Sequence, residues 1–97
     1  MISDKIFDGA TVSLNRQLDM IMHIYRNNKK GLKFDEIQFH MLVRHGVSEA
    51  WVLKFLKLWS KFGVVKQKGI RFIVDEDKLK LVWEARDQGF DVYGPTE

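Results

Sequence analysis

Residues 46–65 read GVSEAWVLKFLKLWSKFGVV, and the spacing of lysines and apolar residues in this stretch predicts an amphipathic helix. Ser48 is a typical N-cap residue, because its hydroxyl can accept a hydrogen bond from the first helical turn. Gly63 is well placed to end the helix. Three lysines share one narrow face at about 100° per residue, and we call them the lysine face: Lys54, Lys57 and Lys61. The opposite face is a broad apolar arc that we expect other elements to cover: Trp51, Val52, Phe55, Leu56, Leu58, Trp59 and Phe62.

Two more helices are predicted on the N-terminal side of this stretch. Apolar residues recur at helical spacing between residues 13 and 28 and predict the first of them. Residues 32–34 form a short extended link. Asp35 is predicted to begin the second helix, with Gln38 as its capping-box partner, and this helix continues to about His45. The glycine that follows is expected to end it.

On the C-terminal side, the apolar pattern changes to the two-residue period of β-strands. Residues 64–74 read VVKQKGIRFIV and predict a hairpin, with Gly69 at the left-handed position of a bulged type I turn. Asp75 or Asp77 is predicted to cap a fourth helix. The order of elements therefore predicts an α+β fold that is mainly helical, with a three-helix core, a β-hairpin and a C-terminal helix.

Length and composition favour one domain over residues 1–97. A 97-residue chain that is 45% hydrophobic has enough apolar sequence for one core and too little for two. We expect the core to span about residues 13–88, between a short N-terminal arm at 1–12 and an acidic tail at 89–97. The absence of cysteine excludes disulfides, thiolate metal sites and cysteine nucleophiles. No apolar run approaches the roughly 18 residues of a membrane span, and we expect a cytoplasmic protein.

Charge is strongly segregated along the chain, although the net charge is only +3. Residues 26–74 carry eleven basic and three acidic side chains, and so hold a net charge of +8. Residues 75–97 carry three basic and seven acidic side chains, a net charge of −4. A basic block of this kind is a plausible footprint for a polyanion such as nucleic acid, and the alternative is an ordinary solvated surface.

Several short motifs recur in a known family. They are Gly-Val-Ser at 46–48 between the second and third helices, the apolar trio Val52, Leu56 and Trp59, and Gly-Val-Val at 63–65 before a glycine-tipped hairpin. With these motifs the chain resembles the winged helix-turn-helix superfamily over residues 13–88. The resemblance implies that the third helix enters the major groove of DNA and that the hairpin touches phosphates or the minor groove. It also implies that dimers on palindromic sites are common.

The candidate DNA-binding residues fall into two groups. Early residues of a recognition helix reach base edges, whereas later turns and the hairpin meet the backbone. The base-reading candidates are Ser48, Glu49, Ala50 and Lys54. The phosphate candidates are Lys33, Arg44, Lys57, Lys61, Lys66, Lys68 and Arg71.

Each of these assignments has a structural alternative. The lysine face can be a solvated edge, although three cations without an interleaved acid repel one another unless an anion faces them. Glu49 can accept from a cytosine amino group or simply stabilise the positive end of the helix dipole. Trp51 can stack on a base, but core packing is the favoured role.

The remaining polar residues indicate neither a metal site nor an enzyme. Glu36 and His40 share a helix face, but two ligands do not make a metal site, and His45 is better explained by the C-terminal dipole of its helix. Neither a nucleophile elbow nor a phosphate-binding glycine loop occurs. No cofactor or small-molecule ligand is expected.

The leading hypothesis is a sequence-specific double-stranded DNA-binding protein, a small prokaryotic or viral transcriptional regulator that acts by operator occupancy. The alternative is a winged-helix module for protein–protein interaction in a larger assembly, and RNA binding is a further possibility. Apolar side chains near both ends predict a homodimer. The interface candidates are Ile6, Phe7, Leu79, Val82, Trp83 and Phe90.

Overall fold

The computed structural model describes the backbone of residues 2–87 and the side chains of residues 12–86. Within this part of the chain the fold is α+β and mainly helical, as predicted, with four helices and a three-stranded antiparallel sheet. In chain order the elements are α1 (Ile2–Arg26), β1 (Leu32–Lys33), α2 (Phe34–His45), α3 (Glu49–Lys61), β2 (Val65–Lys68), β3 (Arg71–Val74) and α4 (Glu76–Asp87). The predicted acidic tail lies outside the described residues.

Two helix starts differ from the predictions. The first helix begins at Ile2, so residues 2–12 belong to α1 and do not form a separate arm. The second helix begins at Phe34, one residue before the predicted start. Its first turn is held by Glu36, whose Oε1 accepts a hydrogen bond from the backbone N–H of Lys33 at 2.8 Å, and not by Gln38.

The signals around α3 are confirmed. Gly46 ends α2 in the left-handed conformation, and its N–H donates to the carbonyl of Leu42. Ser48 caps α3, because its Oγ accepts a hydrogen bond from the N–H of Trp51 at 3.2 Å. At the other end Gly63 has a φ of +80°. The flanking N–H of Val64 donates to the carbonyl of Trp59, which closes the helix in a Schellman motif.

The sheet has the strand order β1-β3-β2, so the extended link before α2 is a true strand that pairs with the hairpin. Leu32 lies opposite Phe72 in this pairing. Lys68 pairs with Arg71 across the hairpin, which leaves a two-residue loop of Gly69 and Ile70. The predicted bulged turn over residues 66–69 is therefore wrong, because strand β2 continues through Lys68.

The described side chains form one hydrophobic core to which every helix contributes. Its centre holds side chains of α1, α2, α3 and β2 that are essentially closed to solvent: Met20, Ile21, Ile24, Ile37, Met41, Val52 and Val65. Polar contacts tie the elements together at its edge. The indole Nε1 of Trp59 donates to the buried Gln17 Oε1 at 3.0 Å and joins α3 to α1.

The fourth helix is capped by Asp75, one of the two predicted residues. Its Oδ1 accepts a hydrogen bond from the N–H of Lys78 at 3.1 Å. The guanidinium of Arg86 lies 5.5 Å from the ring of Trp83 and donates to Asn15 Oδ1 at 2.6 Å, which connects α4 to α1. None of the helices within the described residues combines the length and apolarity that crossing a membrane would require.

Candidate nucleic-acid interface

Helix α3 presents the lysine face to solvent. All three lysines are exposed, as their helical spacing predicts. Within residues 12–86 none of them forms an ion pair with an acid. The Lys54 Nζ lies 5.2 Å from the ring centroid of Phe55, a contact that leaves its N–H groups available. The lysine face is therefore a cationic surface without an acidic partner in the described part of the chain.

The apolar arc of α3 is only partly covered. Val52 and Leu56 are buried, and the aromatic residues Trp51, Phe55 and Trp59 pack half-buried against the core. Leu58 and Phe62 were expected in the covered arc, but they are 36% and 56% exposed. Leu53, on the other side of the lysine face, is also exposed. Apolar side chains thus flank the lysine face on both sides, and the described part of the chain covers them only partly.

The base-reading candidates lie together at the start of α3. Ser48, Glu49, Ala50 and Lys54 are all exposed, so the described chain leaves this face of the N-terminal turns of the helix open. The Ser48 hydroxyl accepts from Trp51 N–H, but its own hydrogen remains free to donate. This end of the helix is therefore open to a macromolecular ligand.

On the hairpin, Lys68 is exposed and precedes the two-residue loop. Lys66 is also exposed, but its Nζ lies 2.9 Å from Asp75 Oδ2. This hydrogen bond from Lys66, together with the N–H of Lys78, holds the pKa of Asp75 below its usual value. Lys66 must therefore give up this partner, or share it, in order to contact a phosphate.

Arg71 has a structural role that the sequence did not reveal. It lies on the central strand β3, and its Nη1 donates to the carbonyl of Gly31 at 3.1 Å. The same nitrogen lies 3.9 Å from Glu36 Oε1. The backbone N–H of Lys33, followed by Arg71, lowers the pKa of Glu36. These contacts turn Arg71 towards the start of α2, so its assignment as a phosphate contact of the hairpin is not supported by its geometry.

Arg44, another phosphate candidate, belongs to a group of side chains that we call the Asp19 cluster: Asp19, His23, His40, Arg44 and His45. The Asp19 Oδ2 lies 2.8 Å from His45 Nε2, 3.3 Å from His40 Nε2 and 3.4 Å from Arg44 Nε. His23 stacks on His40, with ring centroids 3.7 Å apart and an interplanar angle of 6°. His45 therefore binds a carboxylate of α1, whereas the sequence pattern assigned it to the dipole of its own helix.

Glu36 and His40, which share a helix face, have separate partners. Glu36 accepts a hydrogen bond from the backbone N–H of Lys33, while His40 contacts Asp19 within the Asp19 cluster. Among the described residues, no group of three or more histidine, aspartate or glutamate side chains is arranged to hold a metal ion.

A groove between α3 and the hairpin was not predicted. It has a volume of about 560 Å³, and we call it the α3–hairpin groove. Its lining residues are Phe34, Leu53, Leu56, Lys57, Ser60, Gln67, Ile70 and Phe72. The lysine face and the hairpin thus border one concave surface. Leu53 was a sequence signal for it, since it is an apolar residue that directly adjoins the lysine face in the helical projection.

The dimer candidates occupy different environments. Leu79 is 4% exposed and belongs to the core of this chain, so it offers no free surface to a second copy. Val82 and Trp83 are half-buried against the same core. The side chains of Ile6 and Phe7 lie outside the described part of the chain, as does Phe90.

Comparison with known proteins found no matching family model, no similar characterised protein and no similar solved structure.

Proposed function

We propose that this chain binds double-stranded DNA through α3 and the hairpin, in the manner of the winged helix-turn-helix proteins that its sequence resembles. The observation that carries the proposal is the lysine face, which is exposed, lacks an acidic partner among the described residues and borders one groove together with the hairpin. DNA phosphates would neutralise three closely spaced cations and release counterions.

The order of elements supports this proposal. A short helix, a tight glycine turn and a second helix that lies on the surface are followed by a hairpin, as expected of a winged helix-turn-helix. In such a fold α3 would lie in the major groove, and the exposed Lys68 beside the hairpin loop would reach phosphates or the minor groove. The activity would be a regulatory one, by occupancy of an operator, without a catalytic step.

Position along α3 divides the lysine face into two functions. Lys54 lies in the N-terminal half, where recognition helices contact base edges, and it can donate to guanine O6 or N7. Lys61 lies in the last turn, where the phosphate backbone would pass in this arrangement. The first lysine should therefore contribute specificity, and the last should contribute affinity for any sequence.

Substitution of single lysines tests this division. We expect Lys54→Ala to cost about 1–3 kcal/mol on a preferred site and to relax the preference at one base pair, because a base contact is lost. Lys61→Ala should weaken specific and random duplexes about equally and reduce the salt dependence of binding. A selection from random duplexes supplies the preferred site, and fluorescence anisotropy at two salt concentrations measures each affinity.

Lys80→Ala is the matched control, because Lys80 is exposed on α4 and its loss changes the net charge equally. It should bind both duplexes like the parent. Absence of duplex binding at low salt would refute the proposal, and so would equal binding by the parent and both α3 variants.

The exposed apolar residues on α3 favour a second candidate function, a protein–protein interaction module. Leu58 and Phe62 flank the lysine face and would be covered by a partner.

We also propose a homodimer, in which two copies of α3 would read half-sites about one DNA turn, roughly 34 Å, apart. Sedimentation that shows only the 11.4 kDa species at micromolar concentration would contradict the dimer.

A further inference from the structure

The α3–hairpin groove has a chemistry that a DNA backbone does not use. Most of its lining is hydrocarbon, from Leu53 and Leu56 on α3, Ile70 and Phe72 on the hairpin, and Phe34 at the start of α2. Charged phosphates gain nothing from a surface of this kind. Its volume of about 560 Å³ falls in the range of sites that enclose apolar ligand groups.

Two apolar side chains at the opening of the groove remain uncovered. Leu53 is 41% exposed and Ile70 is 69% exposed, and both lie among the lining residues. Ile70 occupies the two-residue hairpin loop, where a polar residue would satisfy the turn equally well. Apolar groups around a concave surface are typical of a site that a partner covers.

The charges around the groove define the kind of partner. Lys57 is part of the lining, and the other two lysines of the lysine face lie one helical turn before and after it. Lys68 immediately precedes the hairpin loop on the other side. The described lining includes no acid, and the nearest in sequence is Asp35, beside Phe34. The complementary ligand is therefore apolar at its centre and negatively charged at its edges.

We propose that the α3–hairpin groove binds an acidic amphipathic segment of a partner protein. Apolar side chains of the segment, at the i, i+3 and i+4 spacing of a helix, fill the groove between Leu53 and Ile70. Its carboxylates face the lysine face and Lys68. Because Lys57 belongs to both surfaces, the peptide and duplex DNA compete for α3. The partner would therefore regulate the DNA binding proposed above, although peptide binding itself does not require that function.

A display selection with random peptides of about 16 residues, long enough for a helix of several turns, tests the proposal on the full chain. Peptides that bind the parent are counter-selected against Leu53→Glu, which places a like charge in the path of the acidic segment. We expect the surviving peptides to be net negative, with apolar residues at helical spacing. A labelled survivor is then titrated by fluorescence anisotropy.

Three variants define the site. Leu53→Glu and Ile70→Ser should each weaken the labelled peptide by about tenfold or more, because each removes apolar contact in the groove. Leu81→Ser is the matched control, since Leu81 is also apolar and is 59% exposed, a value between those of Leu53 and Ile70, but lies on α4. It should bind like the parent. Circular dichroism verifies that the variants are folded, and the exposed loop position of Ile70 keeps that variant informative if Leu53→Glu unfolds.

Competition separates this proposal from the DNA-binding proposal. An unlabelled duplex should displace the peptide, and Lys57→Glu should weaken both ligands. Peptide binding without any duplex binding would refute the proposed function and leave the peptide site intact. The peptide site would be overturned if the selection recovered basic or non-amphipathic peptides. It would also be overturned if no recovered peptide bound the parent more tightly than Leu53→Glu. A further outcome would also overturn the peptide site. If the parent bound a single-stranded oligonucleotide but no peptide, and Leu53→Glu and Ile70→Ser lost that binding, the groove would be a site for stacked bases.

Discussion

Gly31 is the residue whose identity the structure explains most fully. It is buried between α1 and β1 with a φ of +85°, a conformation that side chains disfavour. A Cβ at this position would lie 3.0 Å from the Cβ of Arg71 and 3.3 Å from the carbonyl oxygen of Phe72. Only glycine allows the chain to turn here and still place β1 against β3.

We predict that Gly31→Ala lowers the free energy of unfolding by about 2–4 kcal/mol, through backbone strain and the clash with strand β3. Gly69→Ala is the matched control. Gly69 also has a positive φ, of +66°, but an added Cβ would meet no atom within 4 Å. It should cost only about 1–2 kcal/mol, the strain alone. Urea unfolding measures the free energy of unfolding of both variants. Equal losses would show that the close approach of β3 to Gly31 adds nothing to the backbone strain.

At the scale of elements, signals within a few residues predicted the boundaries of α3. The pairing between distant elements left no comparable signal in the sequence. The Ser48 cap and the glycines that flank α3 act within a few residues, so they could be identified directly. Strand β1 has only two residues, which is too short for an alternating pattern, and its partner lies about forty residues away. Its pairing with β3 depends on how the chain closes and could not be predicted.

The candidate site shows the same division. Helical periodicity predicted that the lysine face is exposed, because it depends only on α3. It could not predict that Arg71 bonds to Gly31 or that Arg44 faces Asp19, since these partners are distant in sequence. The α3–hairpin groove was missed for a similar reason, because two elements and their spacing define it.

Asn28 joins the end of α1 to the sheet and supports a prediction at the same scale. Its Nδ2 donates to the carbonyl of Val74 at 2.8 Å, and its Oδ1 accepts from the N–H of Val74 at 2.6 Å. We expect Asn28→Ala to cost about 1–3 kcal/mol, because two backbone groups of β3 lose their partner. Asn27→Ala is the control and should cost about 0.5 kcal/mol or less, since its side chain makes one exposed bond to His23. Comparable losses in thermal unfolding would contradict this role.

At the scale of the whole molecule, the Asp19 cluster links the packing of α1 and α2 to pH. Burial raises the pKa of Asp19, but hydrogen bonds from His45 and His40 and the charge of Arg44 outweigh it, so the pKa lies below its usual value. Burial lowers the pKa of His23, and the nearby charges of His40 and Arg26 lower it further, against a smaller opposing effect of Asp19. The folded protein therefore holds a deprotonated Asp19 and disfavours a charged His23.

We predict that acid destabilises the fold in two steps. A pKa that is lower in the folded state means that the unfolded chain binds more protons as the pH falls. The contribution of His23 to the free energy of unfolding is complete above its ordinary pKa of 6.5 and is lost as the pH falls below that value. The contribution of Asp19 is complete above its ordinary pKa of 3.8 and is lost in a second step at lower pH.

Replacement of His23 by phenylalanine isolates the first step, because phenylalanine keeps a flat ring against His40 but cannot take up a proton. Urea unfolding at about pH 7.5 and about pH 5.5, on either side of the ordinary histidine pKa, measures the change in stability. The parent should lose more stability on acidification than His23→Phe, since only the parent protonates this site on unfolding. An equal loss of stability in both proteins would show that His23 is not the group that makes the packing of α1 against α2 sensitive to acid.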